Sequence, residues 1–163
     1  MRRVLFPGSF DPITYGHIEM VQRALEIFDE VVVGVGTNTQ KQTMFTATQR
    51  LGWIRAHFAN ESRVRVEQFS GLTVHYAGHI GARYLLRGLR SSPDFEYEKN
   101  IDLLNKHLSP EIDTIYMISR PETQHISSSL VREVIRFGGN LTGLVPDGII
   151  TEIYADKNVT SLV

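Results

Sequence analysis

Apolar residues in this chain follow two alternating patterns. Five short runs predict strands, and those at residues 4–6 and 31–35 are continuous in apolar and β-branched residues, as is typical of buried strands. These runs span residues 4–6, 31–35, 64–69, 84–86 and 114–118. Between the runs, apolar residues recur three and four positions apart, a spacing that predicts helices.

Turn and capping signals predict where the helices begin and end. The spacing of Thr46 and Gln49 is that of a capping box, and Gly138 follows the fifth helical pattern as a stop signal. The predicted helices start near residues 15–17, at 46–49, after Gly71 and at Pro93, then cover 127–137 and the region 149–154. The segment from residue 147 onward has no assigned role.

Helical spacing also predicts which side chains face the core. We expect the second helix to bury Leu51, Ile54, Ala56 and Phe58. We expect the long fourth helix to bury Phe95, Ile101, Leu104 and Leu108.

Strands that alternate with helices predict βαβ units with right-handed crossovers. The chain therefore predicts an α/β fold, a five-stranded parallel sheet with helices on both faces. No repeat, low-complexity segment or linker interrupts residues 1–163, so we expect one domain.

Composition narrows the class of protein. Hydrophobic residues make up 42% of the chain, which is typical of a globular protein. The net charge of −1 offers no broad basic field for nucleic acid. The chain has no cysteine, which excludes disulfides, thiolate metal sites and a thiol nucleophile. The chain opens directly into a strand, and no apolar run approaches the roughly 18 residues of a membrane span. We expect a cytoplasmic protein with no membrane or nucleic-acid partner.

The first turn carries the most specific pattern, G-S-F-D-P-x-x-x-G-H, which spans residues 8–17. It joins a buried strand to a helix start, where free N–H groups and the helix dipole can hold a phosphate. His17 lies in the first helical turn and can add a donor to the same anion. The alternative is an ordinary strand–turn–helix with an exposed histidine.

Three more groups follow strands: the loop of Lys41, a turn predicted at Arg87–Arg90 after the fourth strand, and residues 123–129. In parallel sheets, ligands bind beyond the carboxyl ends of the strands. All four groups are therefore expected at one edge.

Each of these groups has a simpler alternative. Lys41 can be a solvated surface lysine, and Arg87 and Arg90 can bridge to Glu96 or Glu98. The serine run at 127–129 can merely cap its helix, although Arg132 one turn later favours a bound anion.

No metal site follows from the spacing of acidic residues and histidines. Asp94, Glu96 and Glu98 cannot all share one helix face. His57, His107 and His125 lack ligand spacing, and His75 and His79 lack the nearby glutamate of a zinc protease motif. The sequence therefore assigns no protein ligand to a metal.

The expected edge thus gathers cations, helix starts and one histidine, but no evident base or nucleophile. Phosphoryl and nucleotidyl transfer depend mainly on positioning and charge stabilisation. An attacking group that is itself an ionised phosphate needs no base. The pattern therefore favours nucleotidyl transfer between two phosphates over hydrolysis.

Four segments, in this order and spacing, resemble the phosphopantetheine adenylyltransferase family of bacterial coenzyme A synthesis. They are GSFDPITYGH, the lysine before MF, RGLR…DFEYE and HISSSLVRE. The resemblance covers residue 3 to about residue 146 and implies a Rossmann-like nucleotidyltransferase fold. The first turn and the serine run are shared with the wider superfamily, whereas RGLR…DFEYE is specific to this family.

The resemblance implies attack of 4′-phosphopantetheine on the α-phosphorus of ATP, giving dephospho-coenzyme A and pyrophosphate. It implies catalytic roles for His17, Lys41 and Arg90. Contacts to ATP are implied for Ser9, Phe10, His17, Gly88, Leu89, Arg90, Glu98, Thr123, Gln124, His125, Ile126, Ser127, Ser128 and Ser129. Contacts to 4′-phosphopantetheine are implied for Ser9, Lys41, Thr73 and Arg87. Mg²⁺ accompanying ATP, a homohexamer and coenzyme A as a feedback ligand are further expectations.

Two positions depart from the family pattern. Thr123 stands where an aromatic residue is common, and His75 stands where aspartate is frequent. Alternatives within the superfamily are nicotinate mononucleotide adenylyltransferases and cytidylyltransferases, which lack RGLR…DFEYE. A non-catalytic nucleotide sensor and a flavin- or dinucleotide-binding domain are the alternatives from other classes, the latter without its glycine fingerprint.

Overall fold

The computed structural model of the chain describes residues 1–37 and 42–156. Its strands are β1 (Arg3–Gly8), β2 (Glu30–Gly36), β3 (Val64–Phe69), β4 (Tyr84–Leu89) and β5 (Asp113–Ile118). Its helices are α1 (Tyr15–Ala24), α2 (Ala47–His57), α3 (Thr73–His79), α4 (Ser92–Leu108), α5 (Ser128–Arg136) and α6 (Asp147–Ala155). All five predicted strands and all six predicted helices are present.

The strands form one parallel sheet in the order β3-β2-β1-β4-β5. The order reverses between β1 and β4, because the chain builds outward from β1 to β3 and then returns to β4 on its other side. A crevice opens at such a switch point, beyond the carboxyl ends of the two strands. The fold therefore places the ends of β1 and β4 beside the same crevice.

Alternate residues of the central strands pack into two cores. On one face, Val4 and Phe6 of β1 pack with buried residues of α1, α2, α5 and α6. On the other face, Leu5 of β1 and Val32 of β2 pack with Val74 and neighbouring residues of α3. Both faces of the central strands β1 and β2 are covered, which explains why these two strands are continuous in apolar residues.

Local signals confirm two predicted helix starts. Thr46 and Gln49 form the capping box before α2: the Gln49 N–H donates to Thr46 Oγ1 at 3.2 Å, and the Thr46 N–H donates to Gln49 Oε1 at 2.9 Å. Ser91 caps α4 by accepting from the Asp94 N–H, with Pro93 in the first turn. These caps satisfy donors that a helix start leaves unpaired.

The prediction of buried faces was wrong for part of α2 and α4. Ala56 is exposed, whereas Trp53, which was not predicted, is buried on α2. On α4, Phe95, Leu104 and Leu108 are 41%, 58% and 39% exposed. Helical spacing correctly predicted that these apolar residues lie on one helix. Spacing does not show whether other parts of the same chain pack against their side chains and bury them.

The described part of the last predicted segment forms α6. Ile149 and Ile153 are buried against the larger core, so this helix belongs to the domain. Within residues 1–37 and 42–156, no helix is both long and apolar enough to cross a membrane.

Candidate active site

A cleft of about 560 Å³ opens at the switch point between β1 and β4. It is lined by the β1–α1 loop, the end of β4, the start of α4 and the start of α5. The lining residues include Ser9, Phe10, His17, Arg87, Gly88, Arg90, Glu98, Ile126, Ser127, Ser128, Ser129 and Arg132. The prediction that separate strand ends meet at one edge is confirmed for these groups.

The β1–α1 loop turns sharply at Phe10. Phe10 has a φ of 47°, in the left-handed region that side chains seldom adopt. The residue is buried, and its ring packs edge-on against Phe6 and His17, with centroid distances of 5.3 and 5.0 Å. A side chain at Gly8 would come within 3.0 Å of this ring, so glycine makes room for the turn.

Hydrogen bonds of two buried charged residues, Asp11 and Arg50, stabilise the β1–α1 loop. Asp11 is 3% exposed and accepts from the backbone N–H groups of Met44 and Phe45 at 2.9 Å each. The buried Arg50 donates to the carbonyls of Phe45 and Ser9. These bonds fix a loop that has no regular secondary structure of its own.

The backbone sets the protonation of His17. The Thr14 N–H donates to His17 Nδ1 at 3.1 Å, so Nδ1 is the accepting nitrogen and the proton of the neutral ring lies on Nε2. Burial, together with the positive charge of Arg90, lowers the pKa of His17 to about 4. At neutral pH His17 is therefore an uncharged N–H donor that lines the cleft, and it is not a general base.

Arg90 brings a partly free cation to the cleft. Its Nε donates to Asp94 at 3.2 Å, and its backbone N–H donates to the same carboxylate oxygen at 3.1 Å. No acceptor among the described residues takes its two Nη groups. These groups are available to a phosphate.

Arg87 is already paired. Its Nε donates to Glu98 at 2.8 Å, a second nitrogen bonds the other Glu98 oxygen, and Nη1 donates to the Pro7 carbonyl at 3.1 Å. The predicted alternative of an arginine bridging to Glu98 is thus present. Both residues line the cleft, so the pair shapes its wall.

The prediction of a turn at residues 87–90 was wrong, because β4 continues through Leu89. Gly88 lies in the strand, and a side chain there would come within 3.3 Å of Met20 Sδ. Glycine at this position therefore allows α1 to pack closely on β4, in addition to lining the cleft.

The three serines at the start of α5 have different partners. Ser127 caps the helix by accepting from the Leu130 N–H at 3.2 Å. Ser128 Oγ donates to the Pro12 carbonyl at 2.8 Å, and Ser129 Oγ accepts from Arg132 at 3.2 Å. Within the part of the chain that the structure describes, the N–H groups of Ser128 and Ser129 have no protein acceptor. The helix start can therefore bind an anion as well as being capped.

A second hollow, of about 420 Å³, shares Arg90 and Asp94 with the cleft. Gln124 and His125, for which contacts to ATP are a prediction from the family pattern, line this hollow. Of the described residues with predicted ligand contacts, Leu89, Thr73 and Thr123 line neither hollow: Leu89 is buried, Thr73 begins α3, and the Thr123 hydroxyl donates to Glu19. Lys41 lies outside the described residues.

Sequence reasoning missed three polar residues that organise the site: Asp11, Glu19 and Arg50. All three are buried. The position of a charged residue within a helical or turn pattern does not show, from the sequence alone, that its side chain is buried. Asp11 could have been found from its place in the F-D-P turn, because aspartate often accepts backbone N–H bonds there.

As far as the described chain shows, the site combines a neutral N–H donor, a guanidinium with free donors and a helix N-terminus with free N–H groups around one cleft. Each of these groups stabilises negative charge, and together they suit a polyphosphate that gains charge as it reacts.

Similar proteins have the same fold. The protein-family model for cytidylyltransferase-like domains matches residues 5–134. A solved bifunctional NMN adenylyltransferase/ADP ribose pyrophosphatase from Francisella tularensis aligns with a TM-score of 0.75 at 14% identity. The alignment covers 99% of this chain and 52% of that structure, so this chain spans about half of its length.

Relatives of similar length identify the family. The phosphopantetheine adenylyltransferase of Levilactobacillus brevis is 45% identical over 155 residues, covering 95% of this chain and 96% of the relative. That of Thermosynechococcus vestitus is 45% identical over 151 residues, covering 93% and 90%. With the fold, the cleft and these identities together, the chain belongs to the phosphopantetheine adenylyltransferase family of cytidylyltransferase-like proteins.

Proposed function

We propose that the protein transfers the adenylyl group of ATP to 4′-phosphopantetheine, giving dephospho-coenzyme A and pyrophosphate. The observation that carries the proposal is a set of donors around one cleft that have no acceptor among the described residues: His17 Nε2–H, the Nη groups of Arg90 and the N–H groups of Ser128 and Ser129 at the start of α5. The family relationship supplies the acceptor substrate.

The reaction needs no basic residue. A phosphate oxygen of 4′-phosphopantetheine forms a bond to the α-phosphorus of ATP as the bond from that phosphorus to the bridging oxygen breaks. Pyrophosphate leaves with the electron pair. His17 is suited to stabilise the charge that develops on the α-phosphate, since its pKa of about 4 keeps it an uncharged donor at neutral pH. Arg90 is suited to the leaving phosphates.

The acceptor would enter beside Arg87 and Ser9, which line the cleft next to β1. Because Glu98 occupies two nitrogens of Arg87, this arginine contributes charge and shape as part of a pair. Thr73 and Lys41 remain proposed contacts to 4′-phosphopantetheine from the family pattern.

Mg²⁺ is proposed as a ligand of ATP itself. The carboxylates of Asp94 and Glu98 pair with Arg90 and Arg87, and no group of three metal-ligating side chains occurs among the described residues. The side chains of residues 1–37 and 42–156 thus offer no dedicated metal cage. Magnesium would arrive on phosphate oxygens.

A homohexamer is also proposed, and the exposed apolar side chains of α4 support association of copies of this chain. Tyr97, Leu103 and Leu104 are 67%, 62% and 58% exposed, although Glu98 on the same helix is buried.

Coenzyme A is proposed as a feedback ligand because it contains both the adenylyl and the phosphopantetheine parts of the product. The cytoplasm, which supplies ATP, is the proposed compartment.

A pyrophosphate-release assay with separate acceptors tests the proposed reaction. We expect release that requires both ATP and 4′-phosphopantetheine. Nicotinate mononucleotide, nicotinamide mononucleotide and phosphocholine serve as matched acceptors for the superfamily alternatives, the last with CTP. Release with one of these and not with 4′-phosphopantetheine would reject the proposal.

A further inference from the structure

Glu19 is a buried carboxylate that has no part in the reaction described above. It lies on α1 two residues after His17, is 7% exposed, and does not line the cleft. A buried carboxylate is costly unless it is well hydrogen-bonded, so its partners indicate what it does.

The partners of Glu19 come mainly from the β5–α5 loop, residues 119–127. The Arg120 N–H lies 3.3 Å from both carboxylate oxygens, and the Thr123 hydroxyl donates to one of them. Arg23, one turn along α1, donates to Glu19 at 2.8 Å and to the Ile118 carbonyl at 2.8 Å. One carboxylate thus ties the start of the loop to α1 at several points.

These bonds keep Glu19 ionised. Burial alone would raise the pKa of Glu19, but hydrogen bonds from Thr123, Arg23 and the Arg120 N–H hold the pKa below its ordinary value. An ionised carboxylate accepts stronger hydrogen bonds than a neutral group.

The tied loop is compact and lies against the start of α1. The N–H groups of Thr123 and Gln124 donate to the Arg120 carbonyl at 3.0 and 2.9 Å. A side chain at Gly16 would come within 3.4 Å of the Ile126 carbonyl oxygen, which shows how closely the loop approaches α1. The same loop lines both hollows, through Ile126 in the cleft and through Gln124 and others in the second hollow.

We propose that Glu19 and Thr123 form a latch that sets the position of the β5–α5 loop and thereby the affinity of the site for the nucleotide. Glu19 is a positioning residue, and Thr123 acts through Glu19 rather than by touching ATP. The inference rests on the proposed use of ATP. It also gives a role to Thr123, whose hydroxyl donates to a buried carboxylate.

Thr123→Val tests the latch, because it removes the hydroxyl and keeps the shape of the side chain. We expect the KM for ATP to rise about tenfold, the effect of losing one hydrogen bond to a charged group. The kcat and the KM for 4′-phosphopantetheine should stay within about threefold, and Thr123→Ser should recover most of the affinity for ATP. A wild-type KM in Thr123→Val, or equal defects in the valine and serine variants, would overturn the latch.

A double-mutant cycle separates the latch from direct contact of Thr123 with ATP. Glu19→Gln should also raise the KM for ATP, because it removes the charge that strengthens the hydrogen bond from Thr123. The combined variant should be little worse than Glu19→Gln alone, because both changes weaken the same interaction. The control is Glu122→Gln, which removes a charge from an exposed position of the same loop and should leave the KM unchanged. Additive effects would mean that the two residues act separately.

Hydrogen exchange of the ligand-free protein distinguishes failure of the latch from failure of the proposed reaction. Amides of residues 119–127 should exchange about tenfold faster in Thr123→Val than in wild type, while those of β1 should not change. Faster loop exchange in a protein that never releases pyrophosphate would reject the proposed reaction alone. Unchanged loop exchange would reject the latch, whatever the activity.

Discussion

At the scale of single residues, the proposed chemistry depends on which nitrogen of His17 carries the proton. The Thr14 N–H occupies Nδ1, and the surroundings disfavour a second proton. A charged imidazolium could bind phosphate more strongly in the ground state, but a neutral donor avoids adding charge beside Arg90. His17 is therefore expected to act on the charge that appears during transfer.

Replacing His17 by alanine should slow turnover without unfolding the protein. We expect kcat to fall by about 10²–10³, the usual cost of removing one donor to a developing charge. The melting temperature and steady-state pyrophosphate release should be compared with those of His79→Ala, an exposed histidine on α3. A kcat close to wild type would show that His17 does not stabilise the transition state.

The lowered pKa of His17 also predicts how stability depends on pH. The folded protein holds His17 neutral down to about pH 4, whereas the unfolded chain protonates it near 6.5. The unfolded state therefore binds more protons between these values, and this contribution, complete above about pH 6.5, is lost as the pH falls toward 4.

Urea denaturation at pH 7.5 and pH 5 measures the free energy of unfolding of wild type and of His17→Gln. Wild type should lose more stability than the variant over this interval. If both proteins lose the same amount, His17 is not held neutral in the folded state.

At the scale of elements, loops without regular structure owe their shape to a few buried charges. Asp11 ties the β1–α1 loop to the segment before α2, and Arg132 on α5 donates to the Asp11 carbonyl at 2.6 Å. Two strand–helix connections and one helix start therefore depend on a single residue. Rigid support of this kind is what a site for an anion needs, since its donors must already point inward.

Asp11→Ala should destabilise the whole domain. Two backbone N–H groups would lose their acceptor, so we expect the free energy of unfolding to fall by about 3 kcal/mol. Urea denaturation measures this loss. The control is Glu26→Ala at an exposed position, expected to change stability by less than about 0.5 kcal/mol. A loss for Asp11→Ala no larger than that of the control would show that the brace is unimportant.

The Arg87–Glu98 pair predicts a combined effect on stability and on acceptor use. Arg87→Ala leaves Glu98 buried without its partner, and we expect the free energy of unfolding to fall by about 2 kcal/mol. This loss is smaller than for a fully buried pair, because the arginine side chain is 30% exposed. We also expect a higher KM for 4′-phosphopantetheine.

The double variant Arg87→Met/Glu98→Gln separates the two effects. It should regain most of the stability, because no unpaired charge remains, but not the affinity for the acceptor. Recovery of both properties would mean that Arg87 serves only the fold.

The elements themselves could be predicted because their signals are local. Continuous β-branched runs, the capping box at Thr46 and the glycines after α5 each act within a few residues. The end of β4 could not be predicted, because Arg87 and Gly88 look like a turn until Met20 and Glu98 are seen beside them. Partners distant in the sequence decided that boundary.

The candidate site was predictable in outline for a different reason. A parallel sheet brings all strand ends to one edge, so motifs that follow strands must meet there. Which residues of these motifs face the ligand depends on contacts between side chains that are distant in the sequence, and the motifs do not show those contacts. Thr123 was assigned to ATP from the family pattern, whereas its hydroxyl donates to Glu19, a residue that no motif singled out.

At the scale of the whole molecule, the long helix α4 connects the site to the outer surface. Glu98 on this helix reaches the cleft, while Leu103 and Leu104 are exposed on other sides of it. Apolar side chains in this number on one helix are typical of an interface. Assembly through α4 would therefore hold one wall of the cleft in place.

Substitution on α4 tests the proposed assembly. We expect light scattering of wild type to give six times the 18.5 kDa chain mass. Leu104→Glu should shift the mass toward smaller species, because a charge would be buried in the interface. Leu72→Glu, at a half-exposed position before α3, should leave the mass unchanged. A wild-type mass of a single chain would contradict the hexamer.

The most direct test of the proposed reaction is to count its products by mass spectrometry after incubation with ATP and 4′-phosphopantetheine. Direct attack at the α-phosphorus predicts dephospho-coenzyme A and pyrophosphate in equal amounts, with no free AMP. Formation of AMP or ADP without dephospho-coenzyme A would show that the donors around the cleft serve a different reaction.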